Sequence, residues 1–433
     1  MEKPRKRVSP WKWAGLAVLA TVGAGAGILH IAEAAADADI ARELKRLRAL
    51  GYAVSVAEYE ARRETDPAQD ASPFYQDANK IMSERVDLYL FGGHWIYELT
   101  PTGVGAFVRA SDQAYELLSR ASTLPYCTQG KPWESGRGLR VPFPLQTLLR
   151  PSLVRALSRN EAGDWRGALS DISMCRRVAA HVLPKNGLGN TYAAHAEVDS
   201  LLVFALVMSR HHRSKEFLST AREWFDALPP SPLRHDFYED ELIGVRYALQ
   251  TSEPLEDVIL PAAKSNYERW LSRLASSTPL GRKQIEARFL RLMRERLEPV
   301  PKDNWEDHGR QQSMMRWLDH ETSLVGRIAG HFIKEDWWSQ RTPNTSAATM
   351  RRLADISLWV LEQAHATGKL PDQLPSEPRF VDPWTGEPYR LIMSDTKFTV
   401  RSIGPNRQDD GGPMAETRVN SDDEEVVVRY SDE

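Results

Sequence analysis

Cysteine is almost missing: Cys127 and Cys175 are the only two in 433 residues. Two thiols build no disulfide framework, so this is not a small stapled scaffold. Two separate buried thiols are the plain expectation, and pairing stays open if the chain is exported. An excess of either charge is missing too. Lys and Arg number 56 against 59 Asp and Glu, a net charge of -3, so no basic field points to nucleic acid. Glycine-rich phosphate loops, GxSxG and HExxH are absent, which removes the nucleotide, serine-hydrolase and zinc-protease signatures. Histidine is sparse at 11 residues. Only one apolar run reaches 18 residues, and before residue 387 no stretch alternates as a strand does.

What is present begins with that run. Trp11 to Ile31 reads WKWAGLAVLATVGAGAGILHI, and at ~1.5 Å per residue it reaches about 31 Å, the thickness of a bilayer core. Lys3, Arg5, Lys6, Arg7 and Lys12 lie before or within its start, and Glu33, Asp37 and Asp39 follow it. The asymmetry predicts a cytoplasmic basic tail over 1–10 and a transmembrane helix over 11–32. The remaining ~400 residues would then lie in the periplasm or outside the cell, tethered to the inner membrane by a single pass. A cleaved signal peptide ending near Ala34-Ala35-Ala36 is the competing reading; the long apolar core and the belt of Trp11 and Trp13 favour an uncleaved anchor. Gly23 and Gly27 form a GxxxG pair, through which two copies would approach as a homodimer.

Helical periodicity governs residues 38–345, an α-helical ectodomain on this reading. Its one long irregular stretch is 123–144, TLPYCTQGKPWESGRGLRVPFP, with the composition of a lid or arm. The spacing predicts helices over 145–161 and 165–182, joined by Ala162-Gly163-Asp164. Trp165, Ala168 and Leu169 after that turn resemble the hairpin of a tetratricopeptide unit, in which small residues let two helices pack closely. Further helices are expected over about 191–210, 215–228, 232–249, 255–276, 280–297 and 347–366. The fold class expected is mainly α: an N-terminal membrane helix, an irregular helical-hairpin array (solenoid or bundle), and a small C-terminal antiparallel β module.

Few polar clusters point to chemistry. His211-His212 sits between Arg210 and Arg213 at a helix end, where cations meet the dipole. Asp319-His320-Glu321 with His331 lacks zinc-site spacing. The acidic start His235 to Glu241 fits a helix N-terminus, and a glycosidase-like pair would use Glu239 or Glu241 facing a groove.

The last segment, 346–433, is the most specific. A helix ends at Gly368 and is followed by Pro371; then comes DPWTGEPYRL over Asp382 to Leu391. Arg390–Met393 and Phe398–Ile403 read as a hairpin, and Val426–Tyr430 as a last strand. This order resembles the globular domain of the type II secretion major pseudopilin, on Gly368, Pro371, Asp382-Pro383-Trp384, Gly386, Pro388-Tyr389, Ser402 and Gly404. The combination with an anchor and a helical body also resembles single-pass bacterial envelope proteins of no settled activity. The resemblance implies a calcium loop, with Asn406, Asp409, Asp410, Asp422 and Asp423 as the ligands carried over or added nearby. Asn406 removes a charge from the family pattern and Arg407 adds a cation. The chain departs from a pilus subunit at its start, where Ser9-Pro10 replaces the peptidase glycine and the next Glu along the chain is Glu33. The function expected is a non-catalytic scaffold for protein partners, linked to envelope or secretion processes. The alternative is a cell-wall or polysaccharide hydrolase.

Overall fold

The structure is a computed structural model. It describes residues 10–62, 66–85, 101–125, 127, 145–182, 187–228, 238–251, 266–298, 302, 304–321, 323–330, 343–404, 409 and 424–430; for residues 10–19 only the backbone is described. Most of loop 123–144, the stretches 232–237 and 255–265 expected to be helical, and the basic tail 1–9 lie outside these residues.

The chain divides into two units, Met1–Tyr59 with Leu242–Pro299 and Ser313–Glu335, and Glu60–Glu241 with Val300–Gln312 and Asp336–Glu433. In the first unit, α1 (Pro10–Ala49) is a single 40-residue helix. It ends at Gly51, whose φ of 95° lies where only glycine is unstrained. The mainly helical class with a small antiparallel sheet stands, but the transmembrane helix over 11–32 is corrected. Among the described residues no helix is long and apolar enough to cross a membrane. The placement in the inner membrane and the single pass are corrected with it. The physical reason lies in how α1 continues. From Glu33 onward the same helix is charged and docks along α11 (Pro279–Leu297). Lys283 Nζ lies 2.8 Å from Glu33 and 2.9 Å from Asp37, and Arg294 reaches the buried Glu43 at 2.7 Å.

The second unit holds the array. It runs through α3 (Ser72–Arg85), α4 (Pro101–Ala121), α5 (Leu145–Glu161), α6 (Trp165–Val182), α7 (Gly187–His211) and α8 (Lys215–Asp226). Each of α3 to α6 packs on the next one described, and α5 also reaches α7. The stripe Ala168, Leu169, Ile172, Cys175 and Ala179 is buried, as helical period requires. Two turns match in form. Three residues join α5 to α6 and three join α7 to α8; Asp164 caps Gly167 N at 2.9 Å, and Ser214 caps Phe217 N at 3.1 Å. The turns also stack. Trp165 meets Phe217 edge-on at 5.5 Å, Arg210 bonds Glu161 at 3.0 Å, and Arg166 bonds Glu216 at 2.5 Å.

The helix α13 (Pro343–Thr367) packs on α7 and α8 although it comes far later in the chain. Gly368, φ 76°, ends it by donating its N–H to Ala364 O at 2.9 Å. The strands β1 (Arg390–Met393), β2 (Lys397–Ser402) and β3 (Glu424–Arg429) form an antiparallel sheet in the order 1-2-3. Phe398, Val400, Val426 and Val428 face one way and are fully buried against α7 and α13. The tail is therefore part of the array's core.

Candidate functional site

Among the described carboxyls of the array, Asp171 on α6 has its pKa displaced, and it is 1% exposed. It sits at i+3 from Ala168 and i−4 from Cys175, on the apolar stripe. Tyr115 of α4 donates its hydroxyl to Asp171 Oδ1 at 2.5 Å. Arg159 of α5 brings Nε to 3.1 Å from Oδ2, an ion pair whose approach is off-axis for a hydrogen bond. Arg155 covers the Tyr115 ring at 4.1 Å and reaches Asp112 at 2.5 Å. Three helices thus meet on one carboxylate.

Burial pushes the Asp171 pKa up; the Tyr115 bond, then Arg159 and Arg155, pull it down, and Asp164 adds to the rise. Burial and the bond to Asp171 drive the Tyr115 phenol far above its ordinary value. At neutral pH the phenol is a fixed donor. A carboxylate buried this way and held by two other helices orients them on one another. A lone acid on an apolar helical face was the signal for it, and reading hydrophobic periodicity alone passes over that signal.

The expected site residues are placed as follows. Glu239 bonds Arg62 at 2.9 Å and is half-buried, while the side chain of Glu241 lies outside the described residues. His211 packs on the Phe217 ring at 5.7 Å; burial, then Arg210 and His212, push its pKa down. It is neutral at pH 7, and Arg210 is the cation beside it at that helix end. Glu321 bonds Arg288 at 2.7 Å, and His331 lies outside the described residues. Of the calcium candidates, Asn406, Asp410, Asp422 and Asp423 also lie outside them. Asp409 faces Arg390 and Arg401. Among the described residues no group of three or more His, Cys, Asp or Glu is placed to hold a metal ion. Cys127 and Cys175 are both buried thiols not joined in a disulfide, beside Ser72 at 3.3 Å and Ser200 at 3.6 Å.

The DPW turn is held by its own aspartate. Asp382 is 3% exposed; its Oδ1 accepts Trp384 N at 3.0 Å and its Oδ2 accepts Ser402 Oγ at 2.8 Å and Ile403 N at 3.3 Å. Gly386, φ 77°, completes the turn. The acid needed at that position ties the turn to β2.

Comparison with protein-family models, with curated proteins and with solved structures finds no match for this chain.

Proposed function

We propose that this chain is a non-catalytic scaffold that presents a helical-hairpin array to protein partners. The observation that carries the reading is the in-register stacking of the α5–α6 and α7–α8 turns through Trp165–Phe217, Glu161–Arg210 and Arg166–Glu216. Stacked helical pairs build extended faces on which each unit adds area for a partner. The buried acids support the same role: Asp171 joins α4, α5 and α6, and Asp382 closes the tail's turn. The likeness of the tail to a pseudopilin globular domain also fits a part in assembly. Of the two carboxylates named for the hydrolase alternative, Glu239 bonds Arg62 at 2.9 Å and the side chain of Glu241 lies outside the described residues.

The test uses the exposed face of α8, where Lys215, Ser219 and Glu223 align at i, i+4 and i+8. Chemical crosslinking in the native cells should recover a partner at fixed stoichiometry with the wild-type chain. The double variant Lys215→Glu, Glu223→Lys should capture it about ten-fold less at unchanged helical circular dichroism. No stoichiometric partner, or turnover of a cell-wall glycan by the purified chain, overturns the reading.

A further inference from the structure

A second charged cluster in the array differs from the Asp171 site because one of its donors is left over. Arg176 of α6 and Arg351 of α13 converge on a single carboxylate oxygen of Glu197 on α7. Arg176 Nη2 lies at 3.1 Å from Glu197 Oε1 and Arg351 Nη1 at 3.7 Å. Glu197 is 6% exposed, so the carboxylate is fixed beneath the two guanidiniums. Arg351 is held from its other side as well: Nη2 donates to Leu228 O at 2.8 Å, and the guanidinium lies over the Phe225 ring at 5.7 Å. Arg176 Nη1 is buried and meets no acceptor. An orphaned charged donor in a desolvated place costs free energy that an anion would recover. Burial, and among its neighbours the Arg176 guanidinium, pulls the Arg351 pKa down. Both side chains keep an exposed fraction, 11% and 20%, so the cluster opens to solvent at one edge.

We propose that Arg176 and Arg351, oriented by Glu197, form a binding notch for an oxyanion of the phosphate class, with Arg176 Nη1 as the donor awaiting it. Planar guanidinium forks match tetrahedral oxyanions in bidentate geometry, and two forks fixed by one carboxylate lose little freedom on binding. The ligand is an inorganic phosphate or a phosphate carried on a partner, and the chemistry at the notch is the same.

The test is thermal unfolding of the full chain in inorganic phosphate, in O-phosphoserine, and in chloride at matched ionic strength. Phosphate should raise the midpoint saturably above chloride. A shift with phosphoserine as large as that with phosphate supports a phosphate carried on a partner; a shift with inorganic phosphate alone supports the free ion. Arg176→Gln should weaken the apparent affinity about ten-fold or more. Arg176→Lys, which keeps the charge and loses the fork, serves if the Gln variant does not fold, and it should weaken binding as well. Equal midpoints in phosphate and chloride overturn the proposal, and so does a phosphate shift that the Arg176 variants leave unchanged.

Discussion

Replacing Asp171 by Asn tests whether that carboxylate is an anchor held at a cost. The oxygen that accepts the Tyr115 hydroxyl is kept, while the charge is removed. Two terms compete. The bond to a charged acceptor is worth about 1.5–3 kcal/mol and to a neutral one about 0.5–1.5, so Asn loses roughly 1 kcal/mol there. Against this, an ion at 1% exposure carries a desolvation penalty of several kcal/mol, which the off-axis Arg159 contact at 3.1 Å offsets only in part. Burial being the largest influence on the Asp171 pKa says which term wins. The folded pKa is raised above its ordinary value of 3.8, so the folded protein holds the proton more tightly than the unfolded chain. Asp171's favourable contribution is then complete below that ordinary value and is lost as pH rises through the folded pKa. Unfolding by urea, followed by circular dichroism from pH 4 to 8, should show this decline in the wild type and a flatter profile in Asp171→Asn. At pH 7 the variant should be as stable as the wild type or more stable, by about 1 kcal/mol. Asp171→Ala leaves the Tyr115 hydroxyl and Arg159 without their acceptor and should lose about 3 kcal/mol. An Asn variant that keeps the wild-type pH slope, or that loses more than about 2 kcal/mol at pH 7, would refute the reasoning.

Other consequences are checked in the same unfolding assay. Gly163→Ala should cost about 1–2 kcal/mol although nothing lies within 4 Å of the new Cβ, because φ at 81° is left-handed. Phe204→Ala should lose about 3–5 kcal/mol, since the ring is fully buried, packs tilted on Trp224 at 4.9 Å and stacks on Phe225 at 6.0 Å. Asp382→Ala removes three hydrogen bonds and should cost about 2–4 kcal/mol, and hydrogen exchange should report the loss first at β2, where Ser402 and the adjoining Ile403 lose their acceptor.

Much of the fold is legible in the residues themselves. The limits 145–161 and 165–182 coincide with α5 and α6, because Gly163 and Asp164 supply a left-handed turn and a cap at positions no tertiary contact has to choose. The hairpin Arg390–Met393 with Lys397–Ser402 is likewise set by alternation and by the turn at Ser394, whose hydroxyl accepts Lys397 N at 3.2 Å. Local chemistry of this kind is decided within a few bonds of the residue that carries it.

Other features required the whole chain. The apolar run at the start reads as a span when taken alone. Only the continuation of α1 along α11, with Lys283 and Arg294 on its acids, shows a helix whose charged half is docked in its own unit. The register of α8 on α6 depends on Trp224 donating to Ser173 Oγ at 2.7 Å, a pairing that no spacing announces. The placement of α13 beside α7 brings Arg351 to Glu197 and Arg176, residues distant in sequence, as Tyr115 and Arg159 come to Asp171. By itself the sequence determined helices such as α5 and α6, the turn between them and the hairpin of the tail, since capping, periodicity and alternation act locally. Which buried charges meet was decided only by the tertiary structure, because a desolvated ion accepts whichever partner the packing of separate helices brings within reach.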